Sequence, residues 1–265
     1  MTSANNAPIG ILDSGMGGIS IWAEIVRTLP QEEVVYWADT AHCPYGGRTQ
    51  AEITKLVTVG VKTLLEAHAK IIVIACNTAT TAAIATLRAQ WPEVPFIGLE
   101  PAIKPAARAT RTGVVGVLGT AYTVQSEMFR HTTEQYAQGV RVIATAGNGL
   151  VEQVENDREE QPETENLLKQ YIEPMLAAGA DQLVLACTHF PLLVPAIRRI
   201  IGNRPMQIIN PAPAIARHTQ EVLAERGMLT ARETQGSSRF LSSGTEHDSR
   251  RLAEKAAHYI ATLTA

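Results

Sequence analysis

Cys76 and Cys187 each stand directly after a run of aliphatic residues, IIVIA at 71–75 and QLVLA at 182–186. Each then opens a helical pattern, NTATTAAIATLRAQ after the first and THFPLLVPAIRRII after the second. A cysteine beside an apolar strand is commonly a small, inert core residue. These two differ, because each lies at the end of its strand rather than within it and the arrangement occurs twice. A helix start also favours thiolate over thiol, since the positive end of the peptide dipoles meets it. One thiolate and one thiol on opposite sides of a small molecule supply a base and an acid for moving a proton. Cys43, in the loop AHCPYGG, has no duplicate and is read as incidental.

Other ionisable groups gather at the same kind of place. DSGMGG at 13–18 follows an apolar run and precedes a helical one. Its glycines, Gly15, Gly17 and Gly18, miss the dinucleotide-binding spacing, and the lysine of a Walker loop is missing. The Asp13 carboxylate would repel phosphate; it suits a substrate ammonium or a proton-holding role beside a thiol. His189 lies two residues past Cys187. Cys-x-His is half of a zinc site, but no second Cys/His pair has suitable spacing, so no metal is expected. A Cys–His pair that tunes the thiolate fraction is more economical. Glu152 and Glu155 lie in the charge-rich stretch LVEQVENDREE, where acidic side chains usually face water.

The elements that must hold these residues are legible as short apolar runs alternating with longer amphipathic ones. Strands are predicted at 9–12, 33–38, 71–75, 94–99, 113–118, 140–144, 182–186, 206–210 and 239–243. Continuous β-branched runs without polar alternation indicate strands covered on both faces, as in parallel sheets. Over 49–69, Ile53, Leu56, Val57, Val61, Leu64, Leu65 and His68 recur at three- and four-residue spacing and predict one apolar helix stripe. Strand–helix alternation throughout predicts doubly wound α/β architecture. In such folds ligands bind beyond the carboxyl ends of the strands, which is where Asp13, Asp39 to Gly47, Cys76, Thr120 and Cys187 fall.

A faint repeat runs through this pattern. IGILDSGMGGIS from Ile9 is echoed by VGVLGTAYTVQS from Val115, and IIVIACNTA from Ile71 by LVLACTHF, with offsets of 106 and, between the two cysteines, 111. Together the pairs predict a duplication: two pseudo-symmetric parallel-sheet lobes with the active site between them. Lobe one is expected to hold 1–99 plus 209–265, and lobe two 100–208. Segments 100–112 and 228–238 are expected to be crossings or surface loops.

Composition narrows the function classes. A formal net charge of −3 leaves no excess of Lys and Arg to neutralise phosphates, so no nucleic-acid partner is expected. The apolar runs are far shorter than the roughly 20 residues a membrane helix needs. The start, MTSANNAPIG, has no basic segment followed by an apolar run. The expectation is a cytoplasmic protein whose three cysteines stay thiols. A homodimer is compatible with this class, since symmetric dimers are common among soluble enzymes.

Taken in order, DSGMGG, DTAHCPYG, ACNTAT, GVLGTAYTVQS and ACTHFPLL resemble the motifs of glutamate racemases, in the aspartate/glutamate racemase superfamily, from Ile9 to about Thr245. The resemblance implies two pseudo-symmetric lobes, no cofactor, and interconversion of L- and D-glutamate to supply D-glutamate for bacterial peptidoglycan. It implies that Cys76 and Cys187 are the catalytic thiols, with Asp13 beside the first and His189 beside the second. Asp13 and Cys76 would handle the D-substrate proton, His189 and Cys187 the L-substrate proton. By the pattern LV-x-x-VE, Glu155 rather than Glu152 matches the assisting glutamate. Ser14, Pro44, Tyr45, Gly46, Asn77, Thr78, Thr120, Thr123 and Thr188 match substrate-contact positions. Two departures stand out: His42 where relatives often have Arg, and AGNG at 146–149 where they often carry Cys-Pro. Alternatives are an aspartate or other amino-acid racemase, or a two-lobed amino-acid-binding protein without catalysis. A thiol–disulfide enzyme is disfavoured by the lack of Cys-x-x-Cys.

Overall fold

The computed structural model describes residues 3–264. Two compact units divide the chain, Met1–Leu99 with Ala212–Ala265 and Glu100–Pro211. The first contains β1 (Ile9–Asp13), α1 (Ile19–Thr28), β2 (Val34–Ala38), α2 (Gln50–Glu66), β3 (Ile71–Ile74), α3 (Asn77–Gln90) and β4 (Phe96–Gly98). The second contains α4 (Ile103–Ala109), β5 (Val114–Gly119), α5 (Ala121–Gln125), α6 (Glu127–Tyr136), β6 (Arg141–Ala146), α7 (Leu150–Glu155), α8 (Pro162–Ala177), β7 (Gln182–Ala186), α9 (Val194–Ile201) and β8 (Gln207–Ile209). The chain then returns to the first unit with α10 (Ala212–Glu225), β9 (Ser238–Ser242) and α11 (Glu246–Thr264).

Each unit is built on one parallel sheet. The strand order is β4-β3-β1-β2-β9 in the first and β6-β5-β7-β8 in the second. Read from the other edge, the second sheet runs β8-β7-β5-β6, which repeats β4-β3-β1-β2. The sequence echo therefore reflects a repeated topology, with β1 equivalent to β5 and β3 to β7; β9 is an addition, pairing with β2 from Val34↔Ser238 to Ala38↔Ser242. The central strands are buried along their whole length because helices cover both faces. Ile9, Ile11, Leu12, Ile71, Ile72 and Val73 are fully buried in the first sheet, and Val117, Leu183 and Val184 in the second.

Helix α2 shows how local signals and packing agree. Thr49 and Glu52 form a reciprocal capping box at its start. Ile53, Val57, Gly60, Val61 and Leu64 make its buried face. The predicted stripe ends there: Leu56 and Leu65 are half-buried, and His68 is exposed, beyond the helix end, with φ of 62°. Gly60 is required by contact, since a Cβ there would lie 2.5 Å from the Trp37 ring and 2.7 Å from Leu12.

Two features depart from the sequence expectations. The segment 100–112, expected to be a crossing or loop, contains helix α4, whose Ile103 and Ala106 enter the core of the second unit with Val115, Phe129 and Val184. The seven-residue helix spans only about two turns, too few for its periodicity to stand out, and Pro105 within it disguised the pattern. In addition, Cys187 does not open an α-helix directly. A 3-10 turn, Phe190–Leu193, intervenes before α9, because Pro191 and Pro195 lack the N–H groups that a continuous helix would use.

Candidate functional site

The first unit gathers its chemistry at the carboxyl ends of β1, β2 and β3. Asp13, the last residue of β1, is fully buried and accepts the Gly15 N–H at 2.8 Å. Gly18, the N-cap of α1, lets Tyr36 and Asp13 pack close against the backbone: a Cβ would meet the Tyr36 hydroxyl at 2.5 Å and Asp13 Cβ at 3.0 Å. Ser14 and Cys76 are both buried, with the thiol donating to Ser14 Oγ at 3.7 Å. Cys76 is the N-cap of α3, its sulfur accepting the Ala79 N–H at 3.4 Å. The sulfur thus sits at the positive end of a 14-residue helix, in the environment that stabilises a thiolate.

Asn77 and Thr78 follow on the first turn of α3, both buried. Asn77 Nδ2 donates to Leu99 O at 3.5 Å, while its Oδ1 is a buried acceptor with no hydrogen-bond partner among the described residues. The third loop, after β2, carries Pro44, Tyr45 and Gly46. Pro44 and Gly46 are half-buried; Tyr45 is buried and its hydroxyl donates to Asp39 Oδ2 at 2.6 Å. Burial, then the Asp39 carboxylate beside it, and further the charges of Cys76 and Asp13, hold the Tyr45 phenol far above its ordinary 10.0. Tyr45 is therefore a neutral donor that shares an electrostatic environment with Cys76 and Asp13.

Sequence reasoning placed Asp39 among the residues that follow a strand but gave it no role. Its signal was nonetheless present: β1 and β2 pair Asp13 with Ala38, so Asp39 follows β2 at the level where Ser14 follows β1. Its backbone N–H donates to Asp13 O at 3.0 Å.

The second unit presents an equivalent edge, after β5, β6 and β7. Thr120 caps the short helix α5, accepting the Thr123 N–H at 3.2 Å and donating to Thr123 Oγ1 at 2.9 Å; Thr123 is fully buried. Cys187, Thr188 and His189 are buried at the end of β7. Cys187 Sγ lies 3.9 Å from His189 Nδ1, and His189 Nε2 lies 2.6 Å from Glu155 Oε1. Glu155 is the last residue of α7, whereas Glu152 is exposed. A thiol, an imidazole and a carboxylate thus form a line, in which the carboxylate fixes the ring and the ring can exchange a proton with sulfur.

Comparisons with known proteins fit this geometry. Residues 9–219 match the family model described as Asp/Glu/hydantoin racemase. The chain is 44% identical over 229 residues to a glutamate racemase from Roseiflexus sp., covering 86% of this chain and 84% of that protein. Among solved structures, it resembles a glutamate racemase isoform from Bacillus anthracis, with a TM-score of 0.84, 33% identity, and coverage of 96% of this chain and 95% of that one. It also resembles the Escherichia coli glutamate racemase in complex with L-glutamate and the activator UDP-MurNAc-Ala, with a TM-score of 0.82, 29% identity and 95% coverage of each chain.

Proposed function

The chain belongs to the Asp/Glu/hydantoin racemase family, and on that premise we propose that it interconverts L- and D-glutamate without a cofactor. The observation that carries the reading is the duplicated thiol. Cys76 after β3 and Cys187 after β7 stand at equivalent places of two equivalent sheets, the first against the Ser14 hydroxyl and the second beside the His189 imidazole.

Racemisation removes the α-hydrogen from one face and returns a proton to the other. The α-carbon is a weak acid because the adjacent carboxylate resists further negative charge. An unperturbed thiol, with pKa about 8.5, is only a few per cent ionised at neutral pH. In this reading Cys76 reaches the thiolate with help from the dipole of α3, and Asp13 holds its proton when it acts as acid. Cys187 is served by His189, itself oriented by Glu155. Cys76 takes the α-proton of D-glutamate while Cys187 delivers one to the opposite face; for L-glutamate the roles exchange. The orphaned Asn77 Oδ1 suits the substrate ammonium, because a buried acceptor without a partner is costly unless a ligand satisfies it. Ser14, Thr78, Thr120, Thr123 and Thr188 offer hydroxyl donors to the two carboxylates, and Pro44, Tyr45 and Gly46 form the wall beside Cys76. The product would feed peptidoglycan synthesis in the cytoplasm. Among the described residues, no helix is long and apolar enough to cross a membrane.

The test is the circular dichroism of L-glutamate with the purified protein in deuterated buffer, no cofactor added. The expected result is decay of the signal to zero with deuterium at the α-carbon of both hands. Cys76→Ser or Cys187→Ser should each abolish inversion. An unchanged signal, with aspartate turned over instead, would move the assignment to another amino acid. Silence across an amino-acid panel would replace catalysis with binding.

A further inference from the structure

Resting on the racemase reading above, we propose that Ser243, contributed by the returning C-terminal segment, is a positioning residue for the substrate loop 43–47. Strand β9 extends the first sheet beyond β2, with Ser242 paired to Ala38, and the Ser243 N–H donates to Ala38 O at 2.9 Å. This register carries the end of β9 to the same sheet edge as Asp39. The Ser243 hydroxyl donates to Asp39 Oδ1 at 2.5 Å and accepts the Ala41 N–H at 3.1 Å. Next to it, Ser242 Oγ and Thr40 Oγ1 lie 2.5 Å apart, sharing a hydrogen bond. Gly244 keeps the turn tight, since a Cβ there would meet Thr40 Oγ1 at 2.8 Å.

Asp39 is the hub of this arrangement. It is buried, and a buried carboxylate must be surrounded by donors. Oδ2 takes the Tyr45 hydroxyl, while Oδ1 takes Ser243 and faces His42 Nδ1 at 2.7 Å. The position of Tyr45, and with it Pro44 and Gly46, therefore depends on how firmly Asp39 is held. His42 is half-exposed and can turn toward water; Ser243, also exposed and directly after β9, is tied to the sheet by its N–H bond to Ala38 O and to the Ala41 N–H through its hydroxyl. Of the two that share Oδ1, the serine is thus the one with backbone tethers to the end of β2 and to Ala41.

Ser243 touches no group that moves a proton, so its loss should weaken substrate binding rather than the proton transfers. For Ser243→Ala, KM for glutamate is expected to rise roughly tenfold with kcat within about twofold, the scale of one lost hydrogen bond to a charged group. Ser243→Thr retains the hydroxyl and should restore most of the affinity. A second readout does not depend on activity. In a Cys76→Ser/Cys187→Ser background, Cys43 is the one remaining thiol and sits on the loop itself. Its modification by an aromatic disulfide reagent should quicken several-fold when Ser243→Ala is added, with the melting temperature recorded for both proteins. Unchanged KM and unchanged Cys43 reactivity would overturn the proposal. So would a fall in kcat alone, or a quickening matched by global loss of stability. If the unaltered protein fails to racemise glutamate, the functional reading falls, and the Cys43 rate by itself decides whether Ser243 holds the loop.

Discussion

At the residue scale the informative contrast is between Glu155 and Glu152. Both lie on α7, but only Glu155 meets His189, at 2.6 Å, while Glu152 is exposed. Glu155→Gln keeps the shape and removes the charge that fixes the imidazole. Loss of a hydrogen bond to a charged group costs about 1.5–3 kcal/mol, so kcat/KM should fall roughly ten- to a hundredfold. The fall must be equal for both hands, because L- and D-glutamate have the same free energy. Glu152→Gln should leave both constants unchanged; a loss there of similar size would reverse the assignment. Tyr45 gives a second prediction, read from pH. Its folded-state pKa lies above the unfolded value of 10.0. The phenol's contribution to stability is therefore complete below pH 10 and declines as pH rises beyond it, since the unfolded chain ionises first. Tyr45→Phe should be less stable than the parent at pH 8, where Asp39 loses its donor. Above pH 10 the gap should narrow by up to about 1.4 kcal/mol per pH unit. Melts of the two proteins from pH 8 to 11 would show it, and a constant gap would refute it.

At the element scale, close approach decides what a helix face can carry. Gly60 lets α2 lie against Trp37 and Leu12 of the first sheet. Alanine would be the better helix former by about 1 kcal/mol. Here its methyl would sit 2.5 Å from the indole, and overpacking of this kind typically costs 1–3 kcal/mol. Gly60→Ala should therefore lower the urea midpoint, whereas a propensity argument alone predicts a rise. The same logic explains what was legible beforehand. The nine strands among the described residues were readable, the buried β1, β2, β3, β5 and β7 most plainly, because strands covered on both faces are continuous aliphatic runs and few other elements are. Cys76 was readable as a cap, since α3 starts at the next residue and has no proline in its first turn. The equivalent claim for Cys187 was wrong, because Pro191 and Pro195 defer α9 to Val194. Helix α4 escaped notice for want of length. Asp39 was legible only as a residue following a strand, because its role depends in part on Ser243, which chain distance hides and sheet register reveals.

At the scale of the whole molecule, the second unit interrupts the first between β4 and α10, so the first must recapture its own C-terminal segment. Pairing of β9 with β2 and packing of α10 on α1 accomplish most of this. A buried ion pair completes it at the opposite end of the sheet from the candidate-site loops. Lys70 Nζ donates to Glu32 Oε2 at 2.6 Å, to Asn5 O at 2.7 Å and to Met228 O at 2.8 Å, which uses all three of its N–H bonds. Glu32 Oε1 in turn accepts the Thr230 N–H at 2.8 Å. Four stretches far apart in sequence, at Asn5, Glu32, Lys70 and Met228 to Thr230, are thus joined through two side chains. Removing one partner of a buried pair leaves an uncompensated charge, typically at a cost of 3–5 kcal/mol. Lys70→Met should therefore lower the stability of the protein by about that amount, and Glu32→Leu similarly. The double variant, with no buried charge left, should recover much of the loss but not all of it. The carbonyls of Asn5 and Met228 and the N–H of Thr230 would still lack the partners they now have. Urea unfolding of the four proteins gives the coupling directly. A double variant as unstable as the sum of the singles would mean that the pair holds the returning segment through shape rather than charge.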